Sequence, residues 1–262
     1  MKEPGDEIIR VEGLTAAYND EVILRDLSFG VRRGEIFVIL GGSGSGKSTL
    51  LKQMIGLHRP VRGRVLIDGR DLSAATGRER ERILRQIGVT FQSGALFGSQ
   101  TLLENVCLPL EEFTDLPGEA RRRIAMLKLS LVGLGRFADR LPAEVSGGMK
   151  KRAGIARAMA LDPQILFLDE PSAGLDPVTS AELDQLIRRI STGLGITFVV
   201  VTHELASIYD IADRVIMLDK ESQGIIATGD PHRLRDESEN AYVRQFFRRS
   251  VDPDAAPAGE KP

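Results

Sequence analysis

A glycine-rich segment that follows a short apolar run limits the folds open to this chain more than any other feature. Residues 41–49 read Gly-Gly-Ser-Gly-Ser-Gly-Lys-Ser-Thr and match the phosphate-binding pattern G-x-x-x-x-G-K-[ST] at every position. Residues 35–40 begin with a glutamate and continue as five apolar residues rich in β-formers, and apolar residues recur at helical spacing over residues 50–57. The chain is therefore predicted to fold here as strand, glycine loop and helix, within an α/β architecture.

The glycine loop is predicted to bind a polyphosphate. Glycines let the backbone curl so that several N–H groups point into one concavity, and the following helix adds the positive end of its dipole. Lys47 would bring a full charge to the β and γ phosphates, and the Ser48 hydroxyl would ligate the Mg²⁺ that bridges them. A plain turn before an ordinary helix is disfavoured, because the lysine, the hydroxyl and the strand context agree. The predicted phosphate-binding residues are Gly41, Gly42, Ser43, Gly44, Ser45, Gly46, Lys47, Ser48 and Thr49.

Composition sets the class of protein. The chain has 262 residues, of which 42% are hydrophobic, enough for one folded unit with a substantial core. The net charge is −2, which gives no support for a nucleic-acid partner. Cys107 is the only cysteine, so no internal disulfide is expected. The acidic residues 1–6 do not resemble a secretion signal, and no apolar run approaches the roughly 20 residues of a membrane span. We therefore expect an intracellular chain whose membrane role depends on partners.

Two adjacent acids end one of the apolar runs. Residues 165–168 are Ile-Leu-Phe-Leu and are typical of a buried parallel strand, and Asp169 and Glu170 follow directly. Asp169 is predicted to hold Mg²⁺ through a water or hydroxyl, and Glu170 to accept a proton from an attacking water. Adjacent acids usually indicate solvent exposure, but the apolar run places these two at a strand end.

Two other polar residues follow apolar runs in the same way. Gln92 comes after residues 87–91, and His203 comes shortly after residues 196–201. Carboxyl ends of parallel strands meet at one edge of a sheet, where ligands bind. Gln92 is therefore predicted to reach a metal or water there, and His203 to hydrogen-bond a γ-phosphate oxygen. Taken alone, the glutamine would be unremarkable and a lone histidine is more often structural than catalytic; their shared position at the sheet edge favours the site.

Residues 93–161 show helical periodicity and are interpreted as an all-helical insert. Within it, Ser146-Gly147-Gly148 precedes a helix expected to start near Lys150, with Ser146 as its cap and the glycine N–H groups left open. This is a second candidate anion-binding helix end. It could complete the first site within one chain or between two chains. The basic clusters at residues 121–123 and 150–152 are interpreted as solvated helix surface.

The N-terminal part is predicted to form a small antiparallel sheet. Four short β segments are expected at residues 8–12, 22–24, 27–31 and 35–40. Tyr18 lies between the first two, where it could stack on a purine ring if exposed or lie half-buried under the sheet.

Taken in order, these motifs resemble the ATPase subunit of ABC transporters over residues 8–236. The resemblance implies a P-loop NTPase core with a mainly parallel sheet, an N-terminal antiparallel β-subdomain and an inserted α-helical subdomain at about 93–161. It implies ATP and Mg²⁺ as cofactors and a homodimer in which Ser146-Gly147-Gly148 and Asp176 face the nucleotide of the other subunit. Val145 and Met149 depart from the family's usual Leu-Ser-Gly-Gly-Gln, which puts contacts of a terminal glutamine in doubt. The implied catalytic residues are Lys47, Gln92, Glu170 and His203, the implied metal ligands are Ser48, Gln92 and Asp169, and Tyr18 would stack on adenine.

Residues 91–97, Phe-Gln-Ser-Gly-Ala-Leu-Phe, and the Gly-Gly-Met ending resemble the Mla/Mce branch of MlaF-like ATPases. That branch implies ATP-driven lipid transport, with the ATPase bound to transmembrane permease subunits at the cytoplasmic face of the inner membrane. It also suggests a small accessory subunit and a lipid-binding MCE protein. Import or export of another solute is the main alternative, and a non-transport ABC ATPase is a weaker one. A small GTPase is disfavoured because the chain lacks an Asn-Lys-x-Asp guanine reader.

Residues 237–262 are predicted to form a C-terminal extension, with a helix at about 239–250 and a disordered tail rich in proline, alanine and charge. Two interpretations of the helix stay open. It docks on a neighbouring ATPase or accessory subunit, or it packs on its own domain.

Overall fold

The computed structural model describes residues 6–18, 21–92 and 94–249. Ser93, at the start of the predicted helical insert, and the predicted tail at 251–262 lie outside these ranges. The strands are β1 (Glu7–Tyr18), β2 (Glu21–Arg32), β3 (Ile36–Gly41), β4 (Arg62–Ile67), β5 (Arg70–Asp71), β6 (Ile87–Thr90), β7 (Ile165–Asp169), β8 (Thr197–Val201), β9 (Arg214–Leu218) and β10 (Ile225–Gly229). The helices are α1 (Lys47–Met54), α2 (Gly77–Leu84), α3 (Leu102–Phe113), α4 (Gly118–Leu131), α5 (Gly147–Ala158), α6 (Pro177–Leu194), α7 (Leu205–Ile211), α8 (Pro231–Glu237) and α9 (Ala241–Arg248).

An antiparallel sheet has the strand order β2-β1-β4-β5. Its central strand β1 pairs Val11 with Phe29 of β2 on one side and with Val65 of β4 on the other. The sequence placed residues 35–40 in this sheet, and that part of the prediction is wrong. These residues form β3 of the second sheet, because every side chain of β3 is buried, as expected for a strand covered on both faces.

The second sheet has the order β10-β9-β3-β8-β7-β6. All of its pairs are parallel except β10 with β9. Val201 at the end of β8 pairs with Ile39 of β3 and with Asp169 at the end of β7. The carboxyl ends of β3, β7 and β8 therefore share one edge of the sheet, as predicted.

Helices α3, α4 and α5 lie between β6 and β7 in sequence. α3 begins with a reciprocal cap, in which the Thr101 hydroxyl accepts from the Glu104 N–H and the Glu104 carboxylate accepts from the Thr101 N–H. Buried residues of these helices, among them Leu103, Leu129 and Ile155, join the core beneath the second sheet. A second cluster of buried residues joins the antiparallel sheet and α1 to the other face of the second sheet. The predicted fold class is confirmed: an α/β core, an antiparallel sheet and an inserted set of helices.

The C-terminal helix α9 packs against its own chain. Asn240 caps it by accepting from the N–H groups of Tyr242 and Val243. Val243 is 0% exposed and Phe247 is 2% exposed, and both belong to the main core. The Tyr209 hydroxyl donates to the Phe247 carbonyl at 2.7 Å. Of the two interpretations of this helix, the structure therefore favours packing on its own domain for its apolar face.

Across the described ranges, none of the helices combines the length and the apolar character that a membrane span requires.

Candidate nucleotide-binding site

The glycine loop joins the end of β3 to the start of α1, as the sequence predicts. Two of its glycines are required by close packing. A Cβ at Gly41 would lie 2.4 Å from the Leu218 carbonyl oxygen, and a Cβ at Gly46 would lie 2.6 Å from Leu24 Cδ2. Gly46 also has φ 93°, in the left-handed region that favours glycine. The first turn of α1 holds no acidic residue, so its positive end is left for an anion.

Lys47 lies folded over this loop. Its Nζ donates to the carbonyls of Gly41 at 2.7 Å and Gly42 at 2.9 Å. Burial lowers the pKa of Lys47, and the negative charges of Glu170 and Asp169 oppose that shift. The ammonium group is thus close to both acids and to the loop that would hold a phosphate.

The sheet edge brings the predicted catalytic groups together. The Glu170 carboxylate is 14% exposed, and its Oε1 lies 2.8 Å from Nδ1 of His203, which is 69% exposed. Burial raises the pKa of Asp169, and the neighbouring Glu170 charge adds to this, while nearby lysines, including Lys47, oppose it. Glu170 itself has φ 47°, a conformation uncommon for a non-glycine residue, and its N–H donates to Val201 at 2.8 Å. This places a half-buried acid pair beside the loop and an exposed imidazole over one of the acids.

The predicted metal ligands suit magnesium. Ser48, Gln92 and Asp169 offer hydroxyl, amide and carboxylate oxygens, the donors that Mg²⁺ prefers. The described ranges hold no group of three or more His, Cys, Asp and Glu side chains that could bind a metal ion. A cation here would therefore rely on phosphate oxygens and water for its other ligands, which is the usual arrangement for Mg²⁺ at nucleotide sites. The donor set fits the ion, and the three roles stay predictions.

The second candidate helix end is the start of α5. α5 begins at Gly147 and not near Lys150, because the Ser146 hydroxyl caps it by accepting from the Met149 N–H at 3.2 Å. Ser146 and Gly147 are exposed, and the first N–H groups of a helix have no partner within it. A Cβ at Gly148 would lie 2.4 Å from Thr179 Cγ2, which shows how closely α5 approaches α6.

Asp176 caps the neighbouring helix α6. Its carboxylate accepts from the N–H groups of Val178 and Thr179, both at 3.1 Å, and from the Thr179 hydroxyl at 2.6 Å. The hydroxyl bond is the main reason that the pKa of Asp176 is lowered. Thr179 thus lies next to both Asp176 and the buried Gly148, so the two elements predicted to face the other subunit's nucleotide are adjacent.

Tyr18 is the last residue of β1 and is 67% exposed. The alternative that it lies half-buried under the sheet is therefore wrong. Its cross-strand partner is Glu21, three residues before the Leu24 side chain that contacts Gly46. An exposed aromatic ring is able to stack on a base.

Comparison with known proteins decides the family. The ABC transporter family model matches residues 24–173. The chain belongs to this family. It is the ATP-binding subunit of an ABC transporter, and it is an ATPase.

Three relatives of this ABC ATPase differ in what they are named for. The "Probable ribonucleotide transport ATP-binding protein mkl" of Mycobacterium leprae is 44% identical over 94% of this chain and 70% of its own length. The "Intermembrane phospholipid transport system ATP-binding protein MlaF" of Haemophilus influenzae is 39% identical over 94% of this chain and 92% of its own length. The "Methionine import ATP-binding protein MetN 2" of Rhodopseudomonas palustris is 45% identical over 82% of this chain and 57% of its own length.

A solved structure of similar fold is a dimer. The post-hydrolysis state of the ATP-binding cassette MJ0796, bound to ADP and Pi, aligns with a TM-score of 0.76 at 33% identity. The alignment covers 85% of this chain and 98% of the cassette.

Sequence reasoning missed one residue of the site in this ABC ATPase. Lys151, interpreted as solvated surface, donates from Nζ to the Gln92 carbonyl and, at 3.3 Å, to the Glu170 carbonyl. Burial lowers its pKa, against the charges of Glu170 and Asp169. Its position one helical turn after Gly147 is a sequence signal that could have indicated a role at the site. The sequence does not show, however, that this turn of α5 faces the strand ends.

Proposed function

We propose that this ABC ATPase powers phospholipid transport between bacterial membranes, as an Mla/Mce-type system. The observation that carries the proposal is the match to the phospholipid-transport ATPase of H. influenzae, which extends over 92% of that protein. The Phe91–Phe97 segment, similar to the same branch, supports it. Transport of another solute is the second candidate, favoured by the ribonucleotide and methionine relatives.

The working unit we propose is a homodimer with two shared nucleotide sites. In one chain the nearest side chains to Gly147 and Gly148 are Leu175 and Thr179, and not the glycine loop. The Ser146-Gly147-Gly148 end, exposed at Ser146 and Gly147, and Asp176 would therefore meet the triphosphate held by the loop of a second chain. The dimeric cassette of similar fold supports this arrangement. Phosphate charge is neutralised only when both faces meet, so ATP favours closure and hydrolysis permits opening.

The chemistry we propose uses the residues at the sheet edge. Glu170 accepts a proton from the attacking water, and Lys47 and the loop N–H groups stabilise charge on the phosphates. His203, aligned by Glu170, donates to a γ-phosphate oxygen. Mg²⁺, when bound with ATP, supplies further charge neutralisation, and Ser48, Gln92 and Asp169 would hold it. The exposed Tyr18 ring stacks on adenine.

A groove on the helical side supports a permease partner. It has a volume of about 390 Å³ and lies between α2, β6, α3 and α5. Its lining combines apolar side chains with arginines, among them Leu84, Phe113 and Arg157. The exposed Phe91 directly follows β6, one of the elements that form the groove. We propose that a permease segment docks here and holds the ATPase at the cytoplasmic face of the inner membrane. A small accessory subunit and a lipid-binding MCE protein would complete the complex.

Mixing two inactive variants tests the shared site. Lys47→Ala disables the loop, and Ser146→Arg blocks the facing helix end. If each site takes one half from each chain, an equal mixture contains dimers with one intact site, and part of the ATPase activity returns. Each variant assayed alone is the control, because both sites of its homodimers carry the same defect and should stay inactive. If the two variants form mixed dimers and no activity returns, the shared site is refuted.

Reconstitution tests the cargo. The complex is extracted gently from its own membrane and placed in liposomes that contain a fluorescent phospholipid. We expect ATP-dependent movement of the phospholipid, absent with Glu170→Gln, and no stimulation of ATPase activity by ribonucleotides other than ATP or by methionine. Stimulation by either solute, without lipid movement, would contradict the proposal.

A further inference from the structure

Helices α6 and α7 meet through a row of polar residues that runs from buried positions at Ser180, Asp184 and Ser207 to exposed ones at Arg188 and Asp210. On α6 these residues recur at every fourth position, and on α7 and its cap at every third, so each set lies along one face of its helix. We call this set the polar seam. Its members are Ser180, Asp184 and Arg188 on α6, and Glu204, Ser207 and Asp210 on α7 and its N-cap.

Three hydrogen-bonded contacts pair the members of the polar seam in order. The Ser180 hydroxyl lies 3.4 Å from both carboxylate oxygens of Glu204. One turn further along, the Ser207 hydroxyl donates to Asp184 Oδ2 at 2.7 Å. At the third contact, Arg188 Nε donates to the backbone carbonyl of Asp210 at 2.8 Å. Sliding α7 by one turn against α6 would break all three contacts.

Burying the polar side chains of this seam between two helices costs free energy. Ser180, Asp184 and Ser207 are 2–3% exposed, and Asp184 Oδ1 is buried without a hydrogen-bond partner in the described structure. Burial raises the pKa of Asp184 to about 6, and the charges of Glu204 and Asp210 add to the shift, against the Ser207 hydrogen bond. Apolar side chains of similar volume would join helices at lower cost, so the seam is better explained by the register it enforces.

That register links two parts of the nucleotide site. The N-cap of α6 is Asp176, the residue proposed to meet the second chain. The N-cap of α7 is Glu204, which directly follows His203. The Glu204 N–H also donates to the Thr202 hydroxyl at 3.1 Å, which tightens the turn that carries His203. Ser180 stands one helical turn after Asp176.

We propose that Glu204, held by Ser180, is a positioning residue for His203, and that it ties the placement of the imidazole to the α6 end that meets the second chain. The proposal rests on the proposed role of His203 at the γ-phosphate. His203 is 69% exposed and holds one side-chain contact, Nδ1 to Glu170 Oε1 at 2.8 Å, so the position of its backbone turn also determines where the imidazole lies. Movement of α6 on dimer closure then carries the His203 turn with it.

Steady-state ATPase kinetics test the proposal. Glu204→Ala should lower kcat about fivefold, with little change in KM or in the Kd of a fluorescent ATP analogue, because the glycine loop is untouched. Glu204→Gln retains an oxygen that accepts from Ser180 and should restore most of the loss. Ser180→Ala should match Glu204→Ala. Glu182→Ala is the matched control, since this acid of α6 pairs with Arg152 outside the polar seam.

The deciding measurement repeats Glu204→Ala in a His203→Ala background. A residue that acts through His203 has no further effect on kcat there, so the two effects should not add. Full additivity, or an equal loss of ATP affinity, would overturn the positioning role. If His203→Ala alone leaves kcat unchanged, the proposed function of His203 fails, and that outcome is distinct from failure of the Glu204 proposal. Thermal unfolding of each variant checks that the fold is retained.

Discussion

Replacing Glu170 by glutamine separates ATP binding from ATP hydrolysis. The substitution keeps the size of the side chain and an oxygen that can accept from His203 Nδ1, which lies 2.8 Å from Oε1. It removes the basicity that would take a proton from water. General-base catalysis contributes about 10²- to 10⁴-fold, so kcat should fall by that factor, equivalent to about 2.7–5.5 kcal/mol in the activation free energy.

ATP affinity, unlike kcat, should not decrease in this variant. The Lys47 ammonium contacts loop carbonyls and not the Glu170 side chain, so the phosphate cradle remains. Removing a negative charge near Lys47 also lowers repulsion toward the triphosphate. We expect the Kd for ATP to stay equal or to fall, and the ATP-bound dimer to accumulate.

The assay is phosphate release under saturating ATP, with ATP binding and dimer mass measured on the same preparation. Glu182→Gln is a matched control, because its carboxylate is 57% exposed and pairs with Arg152, away from the sheet edge. It should retain turnover within about twofold. Normal turnover in a folded Glu170→Gln protein would refute the assignment of Glu170 as the base.

Three further outcomes follow from named contacts. Gly88→Ala places a Cβ 2.2 Å from the Ala158 carbonyl oxygen, and should lower the free energy of unfolding by about 1–3 kcal/mol in urea titrations. Tyr18→Ala should raise the Kd for ATP about fivefold, from a stacking loss of about 1 kcal/mol, and Tyr18→Phe should not. Asp184, whose pKa is raised to about 6, adds stability below its ordinary pKa that is lost as pH rises through about 6. Asp184→Asn should therefore gain stability over wild type as pH rises from about 4 to 7, by about 2 kcal/mol for a pKa that is raised to about 6, in thermal unfolding at each pH.

Much of the candidate site was predictable because its signals are local. The glycine loop needs its residues in one order, and an apolar run that ends in acids marks a buried strand and its tip. The strand ends then bring Asp169, Glu170 and His203 to one edge, because parallel neighbours align their carboxyl ends. The sequence left open whether the Tyr18 ring is exposed or half-buried, and the structure shows that it is exposed.

The missed features depend on contacts between distant segments. The pattern of β3 shows a strand but not its neighbours, so its sheet was assigned wrongly. Lys151 lies 59 positions from Gln92 in sequence, and only the packing of α5 against the strand ends brings them together. The predicted start of α5 near Lys150 is too late. The Ser146 hydroxyl accepts from the Met149 N–H, three residues on, so the helix begins at Gly147, and the sequence alone does not define this distance. The pairing of Ser180 with Glu204 likewise requires knowledge of how α6 and α7 lie side by side.

The burial of Val243 and Phe247 decides how shortened versions of this protein should be designed. A truncation that stops before them would open a hole in the interior, so lost assembly after such a cut would report damage and not a missing contact. Tyr242, on the same helix, is 46% exposed, and its hydroxyl lies 3.5 Å from where a Cβ on Gly42 would be. A point change at Tyr242 therefore probes the approach of this helix to the glycine loop while leaving its buried anchors in place.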